Sequence, residues 1–391
     1  MWGIFNPTGL AGKVRQGLPS KADYNSDLGK ITSIAFSPDG KKIVTGDTDK
    51  NINIWNTETG TQCKKKGHST VTCLAFSPDG TNIISGHRGA EVNIWNAATI
   101  TLDNTYRLSF PVTSVAISPD GMKVVFGTMS DDVALSIWDL SDNNVIDIRG
   151  YIKGPVVASS HSQESMVRKK SIGHTDTVSS VAFSHDGTKF VSSSYDNTIK
   201  IWDANNYNRI GNIEIINEED VMSVAFGLDN RTIVYVSSSH VVVMNIENTQ
   251  SAESSAESSA ESSEENERLR NINEITQKYI HKFNPFILCQ AVNAKGDKVV
   301  VGIPGSGIYL IDISNLQTDY EPPLVYSFTG RITSLAFNPS DDNIIAFVNK
   351  DTISIVNLTD QTTTQTLVGG RRKRRTKRKK RTRRNKTKRR I

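Results

Sequence analysis

One unit recurs seven times along the chain, and a repeat of this period constrains the fold more than any other feature of the sequence. The first strand of each unit ends in Ala followed by an apolar residue: Ala35-Phe36, Ala75-Phe76, Ala116-Ile117, Ala182-Phe183, Ala225-Phe226, Ala291-Val292 and Ala336-Phe337. Successive pairs lie 40, 41, 66, 43, 66 and 45 residues apart, so the base period is about 40 to 45 and two intervals carry roughly 25 extra. In the first four units the pair runs into Ser37-Pro38-Asp39-Gly40, Ser77-Pro78-Asp79-Gly80, Ser118-Pro119-Asp120-Gly121 and Ser184-His185-Asp186-Gly187. Proline presets φ at the first central position and glycine accepts positive φ at the end, so each tetrapeptide predicts a hairpin turn. A second strand follows, then a polar turn, then a third strand ending in Ile54-Trp55-Asn56, Ile94-Trp95-Asn96, Ile137-Trp138-Asp139 or Ile201-Trp202-Asp203. Units five to seven place Met244, Ile311 and Val356 where the tryptophan stands. Short strands alternate with tight turns and no helix-rich section separates them, which predicts an all-β fold whose units bury their apolar faces only by stacking.

These residues resemble the WD-repeat family, whose units are four-stranded blades of a β-propeller. The resemblance covers about residues 28–361 and implies a seven-bladed β-propeller of four-stranded antiparallel blades. Unit four is the nearest match, with Gly173-His174, Asp196 in the turn after the second strand, and Trp202-Asp203. In the family a His, a Ser or Thr, an Asp and the Trp form a buried hydrogen-bonded chain, which implies that role for His174, Ser192, Asp196 and Trp202. Unit two offers His68, Ser85 and Trp95, with Gly89 in the Asp position; unit one offers Thr45, Asp49 and Trp55; unit three offers Asp132 and Trp138. Similar propellers close their ring with an N-terminal strand, so residues around Asp27–Ile31 are expected to supply the outer strand of the seventh blade.

The formal net charge of +5 hides two opposed parts. Residues 371–391 hold 16 Lys or Arg and no acid, which leaves residues 1–370 with 30 bases against 41 acids. The expected organisation is an N-terminal segment 1–27, a propeller 28–361 with insertions at about 152–172 and 249–272, and a disordered basic tail 362–391. Insertion 152–172 reads as a surface loop or as a partner contact. The segment from Ser251 to Glu267, with three Ser-Ala-Glu-Ser copies and six Glu, cannot offset its ordering entropy and is expected to be disordered. Ser254, Ser258 and Ser262 each precede a Glu by three residues, the pattern an acid-directed kinase recognises. Leu269, Ile272, Ile275, Tyr279 and Phe283 then recur at helical spacing; a docked amphipathic helix and the displaced fourth strand of blade five both fit, and a short helix running into a strand is favoured.

In the tail, Arg371, Arg372, Lys373, Arg374, Arg375, Lys377, Arg378, Lys379, Lys380, Arg381, Arg383 and Arg384 form the densest basic run. It reads as a nuclear address, as a nucleic-acid anchor without base selectivity since it has no aromatic residue, or as a solubilising tail. Cys63, Cys73 and Cys289 are too scattered for a disulfide framework or a zinc site, and buried or half-buried positions are expected for them. No apolar run reaches the ~18 residues of a membrane helix and no secretory h-region opens the chain, so an intracellular protein, nuclear in preference, is expected.

No GxSxG, P-loop or HExxH pattern occurs, so no catalytic group, metal or cofactor is expected. Gly302, Gly305 and Gly307 open no helix and fail as a dinucleotide fingerprint. The Phe/Leu-Arg-Arg-Gly motif of phosphoinositide-binding propellers is missing, and Trp138-Asp139-Leu140-Ser141 and Trp202-Asp203-Ala204-Asn205 lack the Arg of the cullin-adaptor pattern. The expectation is a protein-binding scaffold, with Arg88, Asp131 and Tyr195 as candidate partner contacts. The alternative is a nucleic-acid-binding protein whose main activity lies in the tail.

Overall fold

The computed structural model describes residues 31–148, 173–215, 220–227, 229–246, 277–283, 286–315, 321–328, 330–349, 352–359 and 363–368. Among these, 28 strands form seven four-stranded sheets, each of four consecutive antiparallel strands. Blade one is β1 (Ile31–Phe36), β2 (Lys42–Asp47), β3 (Asn51–Asn56) and β4 (Gln62–Lys66); blade two is β5 (Val71–Phe76), β6 (Asn82–His87), β7 (Glu91–Asn96) and β8 (Leu102–Arg107). Blade three is β9 (Val112–Ile117), β10 (Lys123–Thr128), β11 (Leu135–Asp139) and β12 (Asn144–Ile148); blade four is β13 (Val178–Phe183), β14 (Lys189–Ser194), β15 (Thr198–Asp203) and β16 (Arg209–Glu214). Blade five is β17 (Val221–Phe226), β18 (Thr232–Ser237), β19 (His240–Asn245) and β20 (Gln277–Lys282); blade six is β21 (Cys289–Val292), β22 (Lys298–Ile303), β23 (Gly307–Asp312) and β24 (Leu324–Ser327). Blade seven is β25 (Ile332–Asn338), β26 (Asp341–Asn349), β27 (Thr352–Asn357) and β28 (Thr363–Val368). The result is a seven-bladed β-propeller, the architecture the period of the repeat predicts.

The core lies between blades rather than within them. Each apolar cluster of buried residues draws on two neighbouring blades, and one of them joins Ile34, Phe36 and Trp55 of blade one to Ala346, Val348 and Ile353 of blade seven. The four repeat tryptophans each pack toward the preceding blade: Trp55 on seven, Trp95 on one, Trp138 on two and Trp202 on three. Burying a large apolar side chain contributes about 1.5–3 kcal/mol. Every seam holds ten or more buried residues, so the seams supply the main drive to close the ring.

Polar contacts register the seams. A bulge near the start of the inner strand interrupts the ladder in six blades, among them blades one and four. A bulge releases one residue from pairing, and in blades one, three and four the hydroxyl of that residue reaches the next blade. Thr32 Oγ1 donates to Val71 O at 2.7 Å, and Ser179 Oγ to Val221 O at 2.5 Å. At the far end of the inner strand, the Ser-x-Asp-Gly turns close through a Gly N–H to Ser O bond of 2.8 Å at Gly40 and Gly80. The turn geometry persists where the sequence pattern fades, in Gly296 (φ 64°) of blade six and in Asn230 (φ 54°) of blade five. Asparagine is the residue after glycine that tolerates this left-handed region best.

Several expectations are corrected. The outer strand of blade seven is β28, whose pairing with β27 (Thr352↔Val368 through Val356↔Thr363) occupies the outer edge of β27. No open edge of β27 remains for residues 27–31, and Ile31 instead begins the inner strand of blade one. The propeller thereby extends to Val368, past the boundary expected at 361. Gln277–Lys282 forms the outer strand of blade five, paired with β19, as the displaced fourth strand that the sequence allows there; Leu269, Ile272 and Ile275, where a preceding helix is expected, lie outside the described residues. Cys63 is exposed, since it sits on the outermost strand of its blade, whereas Cys73 and Cys289 are buried. Both long insertions and the tail from Arg371 onward also lie outside the described residues.

Gly40 marks the closing seam: its φ is +70°, and a Cβ there would collide with Asn338 Oδ1 and Ser340 Oγ of blade seven. Gly305 has a similar φ of +73° with nothing within 4 Å. Gly305→Ala therefore carries only the backbone cost of about 1 kcal/mol, and Gly40→Ala about 2–4 kcal/mol because the seam must also shift. Urea unfolding of the two variants measures this difference; equal losses would show that the seam does not depend on that approach.

Candidate functional site

The antiparallel order sends two kinds of turn to each end of the propeller. Turns between first and second and between third and fourth strands lie at one end; turns between second and third strands, with the links between blades, lie at the other. At this second end the backbone ties turn to link: Gly67 N–H donates to Lys50 O at 2.7 Å, Arg88 N–H to Thr70 O at 2.9 Å, and Tyr195 N–H to Thr177 O at 3.1 Å. Loops so anchored on a rigid ring suit recognition.

Arg88, Asp131 and Tyr195 occupy the turn after the second strand of blades two, three and four respectively, and so share this end. Arg88 and Asp131 are exposed and Tyr195 is half-buried. The turn carrying Asp131 is held from beneath by buried Ser130, whose Oγ accepts from Asp132 N–H at 3.1 Å and Val133 N–H at 3.0 Å. Asp132 is therefore a turn residue, and no hydrogen bond joins it to Trp138.

Below this end run the networks inside the blades. In blade four, Trp202 Nε1 donates to Ser192 Oγ at 2.8 Å, Ser192 donates to His174 Nε2 at 2.7 Å, and His174 Nδ1 donates to Asp196 Oδ2 at 2.9 Å. Asp196 also accepts from Thr175 N–H and the Thr198 hydroxyl. Burial lowers the His174 pKa below its ordinary value despite the carboxylate, so the imidazole is neutral and the contact is a hydrogen bond rather than an ion pair. Burial alone would raise the Asp196 carboxyl, yet the hydrogen bonds from His174 and Thr198 and the charge of Lys200 hold it well below the carboxylate range. Lys200 itself is buried in β15, bonded to Asn212 Oδ1 at 2.7 Å, and burial pushes it down to about 8.

Blade two builds a similar chain from a different histidine. Trp95 Nε1 donates to Ser85 Oγ at 2.7 Å, and Ser85 donates to His87 Nε2 at 2.7 Å, while His87 Nδ1 faces Ser69 O at 3.2 Å. His68 is exposed and outside the network. His87 lies two residues beyond Ser85 on one strand, so strand alternation puts both on one face, a signal already present in the sequence. In blade one, Trp55 Nε1 donates to Thr45 Oγ1 at 3.2 Å, but Asp49 is exposed and the buried carboxylate is Asp47, which accepts from Asn51 N–H at 2.8 Å. Blade three has Phe126 in the hydroxyl position, so the Trp138 indole turns to Asn143 Oδ1 at 3.0 Å and stacks obliquely with Tyr106, ring centroids 5.6 Å apart. Tyr235, Val301 and Phe347 hold that position in blades five to seven. Among the described residues no group of three His, Cys, Asp or Glu is placed to hold a metal ion, and no helix is long and apolar enough to cross a membrane.

Removing the Ser192 hydroxyl orphans both a buried indole N–H and a buried imidazole nitrogen. Ser192→Ala is expected to cost about 2–4 kcal/mol, and Thr45→Val, which orphans one donor, about 1–2 kcal/mol; denaturant unfolding should rank them in that order. The lowered histidines add a pH dependence. Just below pH ~6.5 the unfolded chain binds protons that folded His174 and His87 refuse, so stability is full above this pH and falls as pH drops below it, by up to ~1.4 kcal/mol per unit for each histidine. Unfolding midpoints measured from neutral to mildly acidic pH test this, and a flat profile would contradict it.

The WD domain, G-beta repeat family matches residues 22–56, 61–96 and 166–203. These segments end in blades one, two and four, the blades in which the tryptophan donates to a hydroxyl. Periodic tryptophan protein 2 of Saccharomyces cerevisiae is 34% identical over 226 residues, 56% of this chain and 22% of that protein. Its homolog in Dictyostelium discoideum is 27% identical over 222 residues, 49% of this chain and 23% of that one. A Drosophila sechellia protein described as "Ribosome biogenesis protein WDR12 homolog" is 36% identical over 97 residues, 24% of this chain and 20% of that protein. The matched stretches thus span less than a quarter of these relatives. The crystal structure of the Myceliophteria thermophila Cps50 (Swd1) beta-propeller domain superposes with a TM-score of 0.62 at 15% identity, covering 85% of this chain and 98% of that one. With seven four-stranded blades, three of them bearing the repeat signature and its Trp-to-hydroxyl bond, the chain belongs to the WD-repeat β-propellers.

Proposed function

We propose that this protein is a non-enzymatic scaffold that holds partner proteins on the loop-bearing end of its propeller, while residues 371–391 direct it to the nucleus and bind polyanions. The observation that carries the reading is that Arg88, Asp131 and Tyr195 all lie in the turn between the second and third strands, at the same end of three consecutive blades. A partner lying across them touches an extended, rigid surface built from separate blades. A relative named for ribosome biogenesis is consistent with a nuclear setting. The 16 basic residues among the last 21 support the second half of the reading.

The test uses quantitative affinity capture with the propeller ended at residue 368. A set of proteins held by that form should be lost on the combined change Arg88→Glu, Asp131→Lys and Tyr195→Ala. It should survive Met122→Ala with Asp142→Lys, which alter the opposite end. Retention of the same proteins by both variants would sink the scaffold reading. The same propeller should also lose salt-sensitive binding to DNA and RNA relative to the full chain, as phosphate neutralisation requires.

A further inference from the structure

We infer that the open edge of β4 takes an extended acidic segment of a partner protein as a fifth strand of blade one. This surface lies on the outer wall of the ring and is additional to the loop-bearing end.

The edge strand β4 reads Gln-Cys-Lys-Lys-Lys, and all five residues are exposed. It pairs with β3 on one side, and among the described residues no strand pairs with the other. An unpaired edge is a template for another strand, and proteins blunt such edges with bulges, charges or proline. Five of the seven outer strands carry a bulge, since the register shifts where β8, β16, β20, β24 and β28 meet their partners. β4 and β12 run in unbroken register. β12 holds Asp147 and no base, whereas β4 holds three lysines and no acid. Among the described residues, β4 is therefore the outer strand that combines a regular edge with positive charge alone.

The ladder fixes which groups face outward. Asn56 N–H donates to Thr61 O at 2.9 Å and Gly67 N–H to Lys50 O at 2.7 Å, one bond just beyond each end of β4. Bonded and non-bonded pairs alternate along an antiparallel ladder. Cys63 and Lys65 thus turn their backbone groups to β3, while Gln62, Lys64 and Lys66 turn theirs to the open edge. Side chains alternate too, so Lys64 and Lys66, opposite Asn53 and Asn51, share one face, and Lys65, opposite Ile52, takes the other. Lys64, Lys65 and Lys66 pair with no carboxylate among the described residues.

Edge and charge together select the partner. The open edge offers both N–H donors and C=O acceptors. A peptide strand answers both, whereas a phosphodiester backbone brings acceptors only. Opposite charges directly across a strand pair are stabilising and like charges destabilising. A strand with acids at three successive positions meets Lys64, Lys65 and Lys66 on both faces of the sheet. A second copy of β4 would set lysine against lysine. In strand addition of this kind the main chain supplies affinity and the alternate side chains supply specificity.

Cys63 reports on this edge, because it lies on β4 and is exposed while Cys73 and Cys289 are buried. The experiment follows alkylation of Cys63 by iodoacetamide in the full-length protein as the peptide Thr-Val-Glu-Glu-Glu-Val-Thr is added. The peptide should protect Cys63. Lys64→Gln, Lys65→Gln and Lys66→Gln together should raise the concentration for half protection about tenfold or more, the effect of losing three cross-strand charge pairs. Lys41→Gln with Lys282→Gln, which remove exposed charges elsewhere, should leave it within about twofold. Two further peptides carry N-methyl groups on alternate residues, in the two possible frames, at unchanged charge. The frame that removes the N–H groups facing β4 should protect about tenfold less well, and the other should match the parent peptide. Equal protection by all three peptides means attraction by charge alone and overturns the proposal. So does protection by oligo(dT) as strong as by the peptide at equal charge, which would mark a nucleic-acid surface. Absence of protection, or protection that the triple variant retains, overturns it as well. The N-methylated peptides act on the unaltered protein, so the result does not depend on the folding of a variant.

Discussion

The seams between blades are the constraint on which everything else depends. A four-stranded sheet of this size has two apolar faces and too little surface of its own to cover either, so each blade is stable only between two others. The structure meets that need by placing a wedge of apolar residues in every seam, including the one where the chain's first and last blades meet. The closing seam differs from the seams between blades one and four in its turn contacts. Pro38 lies against Gly80 and Pro119 against Gly187, whereas Gly40 meets Asn338 and Ser340 of blade seven. Because both ends of the ring consist of complete blades, closure is a matter of side-chain packing rather than of a shared sheet. That places unusual weight on a few close approaches, such as Gly40.

Within this frame the tryptophan serves two ends at once. Its ring fills the seam with the preceding blade, while its indole N–H must find an acceptor inside its own sheet, since a buried donor left unmet is costly. Blades one, two and four answer with Thr45, Ser85 and Ser192 on the neighbouring strand. In blades two and four a neutral histidine extends the chain, and in blade four it ends on an ionised aspartate. Blade three shows the alternative: Phe126 removes the acceptor, the indole bonds to Asn143, and Tyr106 fills out the seam. Blades five to seven dispense with both partners, pairing Met244, Ile311 and Val356 with Ile233, Val299 and Ile345 across the strands. The hydrogen-bonded network is thus one way of filling a position that apolar packing can also fill.

This explains how far the sequence alone could be read. The period, the turn tetrapeptides and the tryptophans reveal seven units because they encode local backbone geometry and seam packing, which every blade must satisfy. The network members were harder to assign because the required function, an acceptor for the indole and a partner for that acceptor, can be met from several places. Gly-His pointed to His68, yet His87 reaches Ser85 from the same strand and leaves His68 in solvent. Asp49 stands in the expected turn, but Asp47 is the carboxylate that folds inward onto Asn51. The outer strand of blade seven carries a weak signal for a related reason. Four of the six residues Thr363 to Val368 are polar, and an outer strand needs only one paired edge and little burial, so their pattern does not separate them from a linker.

The same weakness of sequence signal on outer strands is what makes β4 informative. An outer strand is free to vary, since it contributes little to the seams, and across the propeller these strands share no charge pattern. Where such a strand concentrates three lysines, packing supplies no reason for it. The reason must come from outside the fold, from solvent, from aggregation or from a ligand. The Glu-rich insert, by contrast, joins the third and fourth strands of blade five and so leaves from the end of the ring opposite to the one at which Val368 finishes. The fold thereby sets the roots of its acidic and basic segments at different ends of the ring.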